Sequence, residues 1–185
     1  DASLFNNTNG NLNTAIGSSS MFYNISGNNN TACGSSALIG NLTGNNNTAL
    51  GIYSLRANDS RSNNTAIGRQ SLTTNTNGNN NTSIGVNSML ANESGNLNTS
   101  IGFTSMLSNE TGNSNTSIGV SSLYFNKTGN FNTAIGNGSI INNTTGDNNI
   151  GIGFNALNTN DTGSNNTAVG TNANVSTDNQ TNSTS

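Results

Sequence analysis

The sequence predicts an all-β fold, a β-solenoid (a parallel β-roll or β-helix) in which each 17-residue repeat forms one coil. The first observation is a glycine that recurs every 17 residues without a slip, at 17, 34, 51, 68, 85, 102, 119, 136, 153 and 170. The second is that most of these glycines end a string such as Asn64-Thr65-Ala66-Ile67-Gly68. The third is that the short apolar segments lack a helical period and alternate with Gly and Asn, which favours strands and turns. Such repeats stack and share one continuous core.

Ten full repeats cover residues 1–170, and residues 171–185 form a degenerate eleventh repeat or terminal segment. We number positions within a repeat from 1 to 17, with the glycine at 17, and call the repeats coils 1 to 10. Position 16 is apolar, as in Ile16 and Ile67, and position 4 is Leu, Met or Ile in all ten coils. We predict two short strands per coil, and we expect the side chains at positions 16 and 4 to form the core of the solenoid. Cys33 occupies position 16, so we expect a buried, inert thiol.

The composition argues against several functional classes. Only 29% of the residues are apolar and 6% are charged, the net charge is −3, and 45 of the 185 residues are Asn. Four basic residues are too few for a nucleic-acid interface. No apolar run approaches the roughly 20 residues of a membrane span. The chain has no His and few acids, so we predict no catalysis, no cofactor and no metal site; Glu93, Glu110 and Lys127, which share a turn column, are interpreted as a solvated turn.

Position 13 is Asn in every coil, and we predict an internal ladder in which each side-chain amide bonds to the next coil. The members of this ladder are Asn13, Asn30, Asn47, Asn64, Asn81, Asn98, Asn115, Asn132, Asn149 and Asn166.

The strongest chemical signal is the N-glycosylation sequon Asn-x-Ser/Thr, which falls into two columns of the polar segment. There we expect glycans to meet solvent. The alternative is that Asn and Thr are present only as good turn residues. The first column, at position 7, contains Asn24, Asn41, Asn58, Asn92, Asn109, Asn126, Asn143 and Asn160. The second, at position 12, contains Asn29, Asn46, Asn63, Asn80 and Asn165.

A further apolar column occupies position 5 and directly follows the core column at position 4. Adjacent strand residues face opposite ways, so one of the two should point outward and support lateral packing. A bend that turns both columns inward is the alternative. The position-5 column contains Phe5, Phe22, Ile39, Leu90, Leu107, Tyr124, Ile141 and Val175.

The string Asn-Thr-Ala-Ile-Gly, followed by Ser-Leu as in Ser54-Leu55, resembles the head repeat of trimeric autotransporter adhesins, whose coils carry Ser-Val-Ala-Ile-Gly. It is also similar to the Asn-rich, Gly-punctuated repeats of phage tail fibres and other surface fibres. The resemblance implies a left-handed parallel β-roll, a trimeric assembly and a role at a surface. The repeat here is longer, and Thr14 stands where the adhesin motif has Val.

The predicted function is that of a structural protein: a glycosylated extracellular fibre subunit, located outside the cell or on a cell or virion surface. Both ends are in register with the repeat, and neither carries a polar capping unit, so we expect head-to-tail stacking or derivation from a longer array. The expected partners are further copies of the chain, stacked end to end, side by side or as trimers, and covalent N-glycans. The alternatives are an adhesin or phage tail-fibre shaft that binds host surfaces, and an ice-binding solenoid, because Thr14, Thr31, Thr48, Thr65, Thr82 and Thr99 form a file.

Overall fold

The computed structural model describes residues 2–175 and 183–184, and it confirms the β-solenoid with about one coil per 17 residues. Ten short strands form one parallel sheet in sequential order, each strand paired with the equivalent residues of the next coil, as in Thr82↔Thr99 and Ile84↔Ile101. Within the described residues no helix is present, so none is long and apolar enough to cross a membrane.

The strands lie at the same place in every coil. They are β1 Thr14–Ile16, β2 Thr31–Cys33, β3 Thr48–Leu50, β4 Thr65–Ile67, β5 Thr82–Ile84, β6 Thr99–Ile101, β7 Thr116–Ile118, β8 Thr133–Ile135, β9 Ile150–Ile152 and β10 Thr167–Val169. Beyond β10, Thr184 bridges to Thr167, which continues the same register by one more coil.

Each coil has one strand of three residues, so the prediction of two strands per coil is wrong. Strand side chains alternate, and the middle residue points inward. Ala66 is fully buried in β4, whereas Thr65 and Ile67 on either side are partly exposed. The prediction that position 16 lies in the core is therefore wrong as well. The small middle residue lets the strand lie close to the opposite wall of the coil.

The second core column, at position 4, sits in a turn. Leu72, Met89 and Leu123 are fully buried, but their φ angles are +50°, +46° and +48°, in the left-handed region. An L-residue in this region costs roughly 1–2 kcal/mol, and burying a Leu or Met side chain contributes about 1.5–3 kcal/mol. Burial therefore offsets the backbone cost at this position. The turn brings the Leu or Met side chain under the inward Ala or Ser of the strand.

The period of 17 is maintained by close backbone approach between coils. Gly85 has φ +136°, and a Cβ built on it would lie 2.3 Å from the carbonyl oxygen of Gly102 in the next coil. At position 10, a Cβ on Gly95 would lie 2.3 Å from the oxygen of Gly112 and 2.5 Å from the side chain of Asn109. Any side chain at these points would push the coils apart.

The other half of the core is polar, and it contains the predicted Asn ladder at position 13. Asn81 Nδ2 donates to the carbonyl of Gly95 at 2.8 Å, and Asn81 Oδ1 accepts from the backbone N–H of Asn98 at 3.0 Å. Both partners belong to the next coil, so each side chain clamps its own coil to the following one. The same pair of bonds recurs along the rod, and buried amides with all groups bonded avoid the cost of unsatisfied polar atoms.

Candidate functional surfaces

The outward side of the sheet carries many of the exposed apolar side chains of the rod. We call it the strand face and define it as the side chains at positions 14, 16 and 1, which flank the inward residue and the glycine. Position 14 is Thr in nine of the ten strands, with Ile150 as the exception. Position 16 is apolar throughout, and position 1 adds Ile52, Val86, Phe103, Val120 and Phe154, each at least 37% exposed.

Cys33 belongs to this face. Its thiol is exposed in the position-16 column between Ile16 and Leu50. The prediction of a buried thiol is wrong because position 16 points away from the core. The thiol lies in an apolar file that runs the length of the sheet.

Charge is distributed unevenly around the rod. Among the charged residues that the structure describes, Arg69 alone belongs to the strand face, at position 1. Most of the others lie at position 8 in the opposite turn, where Lys127 and Glu110 form an ion pair of 3.7 Å between adjacent coils. Both side chains are about half exposed, and an exposed pair of this kind contributes about 0–1 kcal/mol. One long side is thus apolar and nearly uncharged, and the other is polar.

The sequon column at position 7 lies inside the rod. Asn24, Asn41, Asn58, Asn92, Asn109, Asn126, Asn143 and Asn160 are all fully buried, so the expectation that they meet solvent is wrong. Asn92 Nδ2 donates to Asn75 Oδ1 at 2.8 Å and to the carbonyl of Gly95 at 3.0 Å. Asn92 Oδ1 accepts from Asn109 Nδ2 at 2.7 Å. This column is a second Asn ladder, in which side-chain amides bond directly to one another.

N-glycosylation at position 7 conflicts with the fold. N-glycosylation replaces one hydrogen of Nδ2 by a sugar. Both Nδ2 hydrogens of Asn92 are already used in hydrogen bonds, and no solvent surrounds the atom. A glycan at position 7 is therefore incompatible with the coil. One residue in the sequence indicated the structural role of this column. Asn75 is Asn like the rest of the column, yet residue 77 is also Asn, so Asn75 is not part of a sequon and must be there for another reason.

The second sequon column lies at the surface. Asn29, Asn46, Asn63, Asn80 and Asn165 are all exposed, with φ between +56° and +61°. Asn tolerates the left-handed region better than most residues, which explains its use at this turn. Asn80 Nδ2 makes no hydrogen bond to the described residues, so a sugar could be attached without loss of a contact. Asn46 differs in that its Nδ2 donates to Asn63 Oδ1 at 3.2 Å, an exposed bond that leaves its second hydrogen unused. Glycosylation of these five residues stays a prediction, and their exposure is compatible with it.

The position-5 column points outward, as one of the two alternatives expected. Phe22, Ile39, Leu90, Leu107, Tyr124 and Ile141 are half-buried, Phe5 is exposed, and Val175 is the exception because it turns into the end of the core. Phe5 and Phe22 stack with ring centroids 5.3 Å apart. The position-5 column is thus an apolar stripe one residue wide, and it is narrower than the strand face.

Within the described residues no group of three or more potential ligands among His, Cys, Asp and Glu is placed to hold a metal ion. No protein-family model, curated protein or solved structure matches the chain. Its function must therefore be argued from these surfaces.

Proposed function

We propose that the chain is a structural subunit of an extracellular fibre, a stiff rod that packs side by side with other copies through its strand face and stacks head to tail. The observation that carries the proposal is the strand face itself. Position 16 is apolar in every coil, five coils add an exposed apolar side chain at position 1, and Arg69 is the one charge on this face among the described residues. Apolar patches of this extent usually mark interaction sites, and depletion of charge is typical of interface centres.

The size of the strand face suits a protein–protein contact. Ten coils at about 4.8 Å each give a length of about 48 Å, and the width from position 14 to position 1 is about 13 Å at 3.3 Å per residue. The footprint of about 600 Å² is comparable with the ~800 Å² per partner of a standard interface. A second copy of the same strip offers matching apolar files at the same spacing.

N-glycans at position 12 are part of the proposal and would direct where rods pack. The exposed sequons from Asn29 to Asn80 occupy coils 2 to 5, along one border of the strand face. In coils 6 and 8 the same position holds Leu97 and Phe131, which are 60% and 61% exposed. Sugars would keep the sequon-bearing coils soluble, coil 10 with Asn165 included, and the coils with Leu12, Leu97 or Phe131 would offer the more apolar contact. A glycan coat is consistent with a location outside the cell or on a virion surface.

Lateral packing is tested by sedimentation velocity of the purified chain and two variants. The native chain should form dimers or larger species, and Ile118→Asp on the strand face should weaken self-association at least tenfold. The control, Glu110→Gln in the opposite turn, should behave as the native chain. A monomeric native chain, or equal association of I118D and E110Q, would contradict the proposal.

The exposed thiol reports how the rods are oriented. If copies pack parallel and in register, the Cys33 thiols of two copies come close, and a mild oxidant should link them as a disulfide. A C33S chain that carries Glu93→Cys in the opposite turn serves as the control and should not cross-link. Head-to-tail stacking is tested by electron microscopy, in which filaments much longer than a single ~50 Å rod are expected. Dispersed single rods at high concentration would contradict it.

Ice binding is a second candidate, favoured by the outward position of the Thr file. Thr hydroxyls and methyls repeat along the sheet next to the position-16 methyl groups, which gives a regular two-dimensional array. The bulky Phe103 and Phe154 at position 1 interrupt the flat surface at its border. A thermal-hysteresis assay distinguishes the two candidates, because a face that serves only for packing is expected to produce no difference between the melting and freezing temperatures of the solution.

A further inference from the structure

Coil 4 departs from the other coils. Three of the four basic residues of the chain, Arg56, Arg61 and Arg69, fall within a stretch of 14 residues in coil 4 and at the start of coil 5. Arg61 occupies position 10, where the other coils have Gly. A side chain at this position would collide with the next coil, as the 2.3 Å approach at Gly95 shows. The turn of coil 4 must therefore follow another path.

The hydrogen bonds show this path. In regular coils the N–H of position 8 donates to the carbonyl of position 8 in the next coil, as Glu93 does to Glu110 at 3.1 Å. In coil 4 the N–H of Asp59 instead donates back to Gly40 in the preceding coil, at 3.1 Å, and Asp59 has φ +46°. The carbonyl of Thr76, which would be its regular partner, accepts from Arg61 Nε at 2.9 Å. The arginine side chain thus replaces a backbone bond between coils.

A groove of about 560 Å³ lies where the turn has moved. It follows position 6 of successive coils, which is Tyr23, Gly40, Ala57 and Thr74. Gly40 and Ala57 lack large side chains, and Tyr23, 49% exposed, forms an aromatic wall at one end. A volume of this size is within the usual range of small-molecule sites.

Two opposite charges line the groove without pairing. Arg56 and Asp59 are both exposed there, and the ion pair found among the described residues is Lys127 with Glu110. The Arg56 guanidinium carbon lies 5.5 Å from the centroid of the Tyr53 ring, a cation–π arrangement that leaves the in-plane N–H groups available. The Asp59 carboxylate makes no hydrogen bond to the described residues. The groove therefore presents a donor fork, a strong acceptor and an aromatic face.

We infer that this groove binds a neutral saccharide, as one or two rings of a glycan. A sugar ring offers a C–H face that packs on an aromatic ring, and adjacent hydroxyls that both donate and accept. Arg56 donates and Asp59 accepts, and the hydroxyl oxygens of Thr73 and Thr74, whose protons are donated to backbone carbonyls, can accept at the edge. The opposite charges cancel, so the site has no net attraction for a carboxylated or phosphorylated sugar. The inference concerns coil 4 and does not depend on lateral packing of the rod.

Ala57→Phe should block the groove without preventing folding, because another coil already has a Phe at the same position. Position 6 holds Phe125 in coil 8, where the ring is 45% exposed and meets Tyr124 edge-on at 4.6 Å. Ala57→Phe should therefore fold and fill the groove. Ala91→Phe places the same ring at position 6 of coil 6, outside the groove, and is the matched control; both alanines donate their N–H to the next coil, at 2.9 and 3.0 Å.

The test is ligand-observed NMR of the full chain with the methyl glycosides of glucose, galactose, mannose and N-acetylglucosamine. At least one glycoside should bind the native chain and A91F equally, and binding should fall at least tenfold in A57F. Tyr23→Ala and Asp59→Asn should each weaken it about five- to tenfold, equivalent to the loss of one stacking contact or hydrogen bond. Phe125→Ala, which removes the equivalent exposed ring of coil 8, should leave it unchanged.

Three outcomes would overturn the inference. They are no binding of any of the four glycosides to the native chain, equal binding to A57F and A91F, and binding restricted to N-acetylneuraminic acid or glucuronic acid added as charged probes. The last outcome would retain the groove and reject the neutral ligand. Circular dichroism and the melting temperature of each variant separate loss of binding from loss of fold.

Discussion

Two columns of asparagine carry the same Asn-x-Ser/Thr sequence five residues apart in the coil, as at Asn24 and Asn29, and the fold treats them in opposite ways. At position 7 the amides are fully buried and bond to one another from coil to coil. At position 12 they are exposed on left-handed turn residues. A sequon thus describes what an enzyme reads on the unfolded chain, and the position in the coil decides whether the fold can accept the product.

The largest expected effect concerns glycans at the buried column. In a secretory host, a chain that receives sugar at position 7 before the ladder forms should fail to fold, whereas a chain that is modified only at position 12 should fold. Three Asn residues of the position-13 ladder, Asn81, Asn98 and Asn115, are also in sequons, which Ser83, Ser100 and Ser117 complete. A variant with Ala at these three serines and at every position-9 Ser or Thr keeps both ladders but loses their sequons. It should yield mostly folded protein from this host, measured by protease resistance and intact mass.

The matched variant removes the exposed sequons instead, by replacing the position-14 Thr residues that follow Asn29, Asn46, Asn63, Asn80 and Asn165 with Val. No gain in folded protein is expected from it. Folded native protein that carries a glycan on Asn92 would contradict the comparison.

A smaller effect is expected from deleting one rung of the buried ladder. Asn92→Ala leaves Asn75 Oδ1 without its side-chain donor and opens a cavity, so we expect a loss of about 2–4 kcal/mol in the free energy of unfolding. Asn80→Gly, at the exposed column, should change it by about 0.5 kcal/mol or less, because Gly adopts positive φ freely. Urea denaturation of protein made in a non-glycosylating host measures both. Equal losses for the two variants would show that the columns do not differ energetically.

The smallest effect is a gain in stability at position 12. Leu97 has φ +58° and is 60% exposed, so its side chain contributes little burial while its backbone is unfavourable. Leu97→Asn should raise the free energy of unfolding by about 0.5–1 kcal/mol. Thermal denaturation checks this, with Asn148→Leu as the reverse substitution at the same position in coil 9. A lower free energy of unfolding for L97N would mean that the Leu97 side chain makes a stabilising contact, for example with a second rod.

The sequence predicted the repeat length, the solenoid and the position-13 ladder, because each depends on identical residues at identical spacing. The roles of position 7 and position 16 were predicted wrongly. Asn92 was interpreted through its sequon, although Asn75 retains Asn without one. Ile67 was placed in the core because it is apolar, yet the buried residue of β4 is the small Ala66.

The groove of coil 4 could not be predicted from the sequence, for a different reason. Arg61 is visible in the sequence as the single departure from the position-10 glycine. Its consequence is a reversed hydrogen bond from Asp59 and a side-chain bond to Thr76, which depend on how three coils stack. No pattern within one repeat predicts that geometry.

By itself, the sequence determined that this chain is a solenoid with a 17-residue coil, because regularly spaced glycines allow backbones to approach only if every coil repeats the last. It also predicted that the position-13 amides bond between coils, because an Asn that fills one column without exception forms a ladder when the coils stack. The tertiary structure alone decided which side of each strand faces inward. Alternation in a three-residue strand shows that Thr65 and Ile67 share a side, but not which side. That choice depends on the left-handed turns, which bury Leu72 together with Ser83 on the inner side and leave Ile67 partly exposed on the outer side.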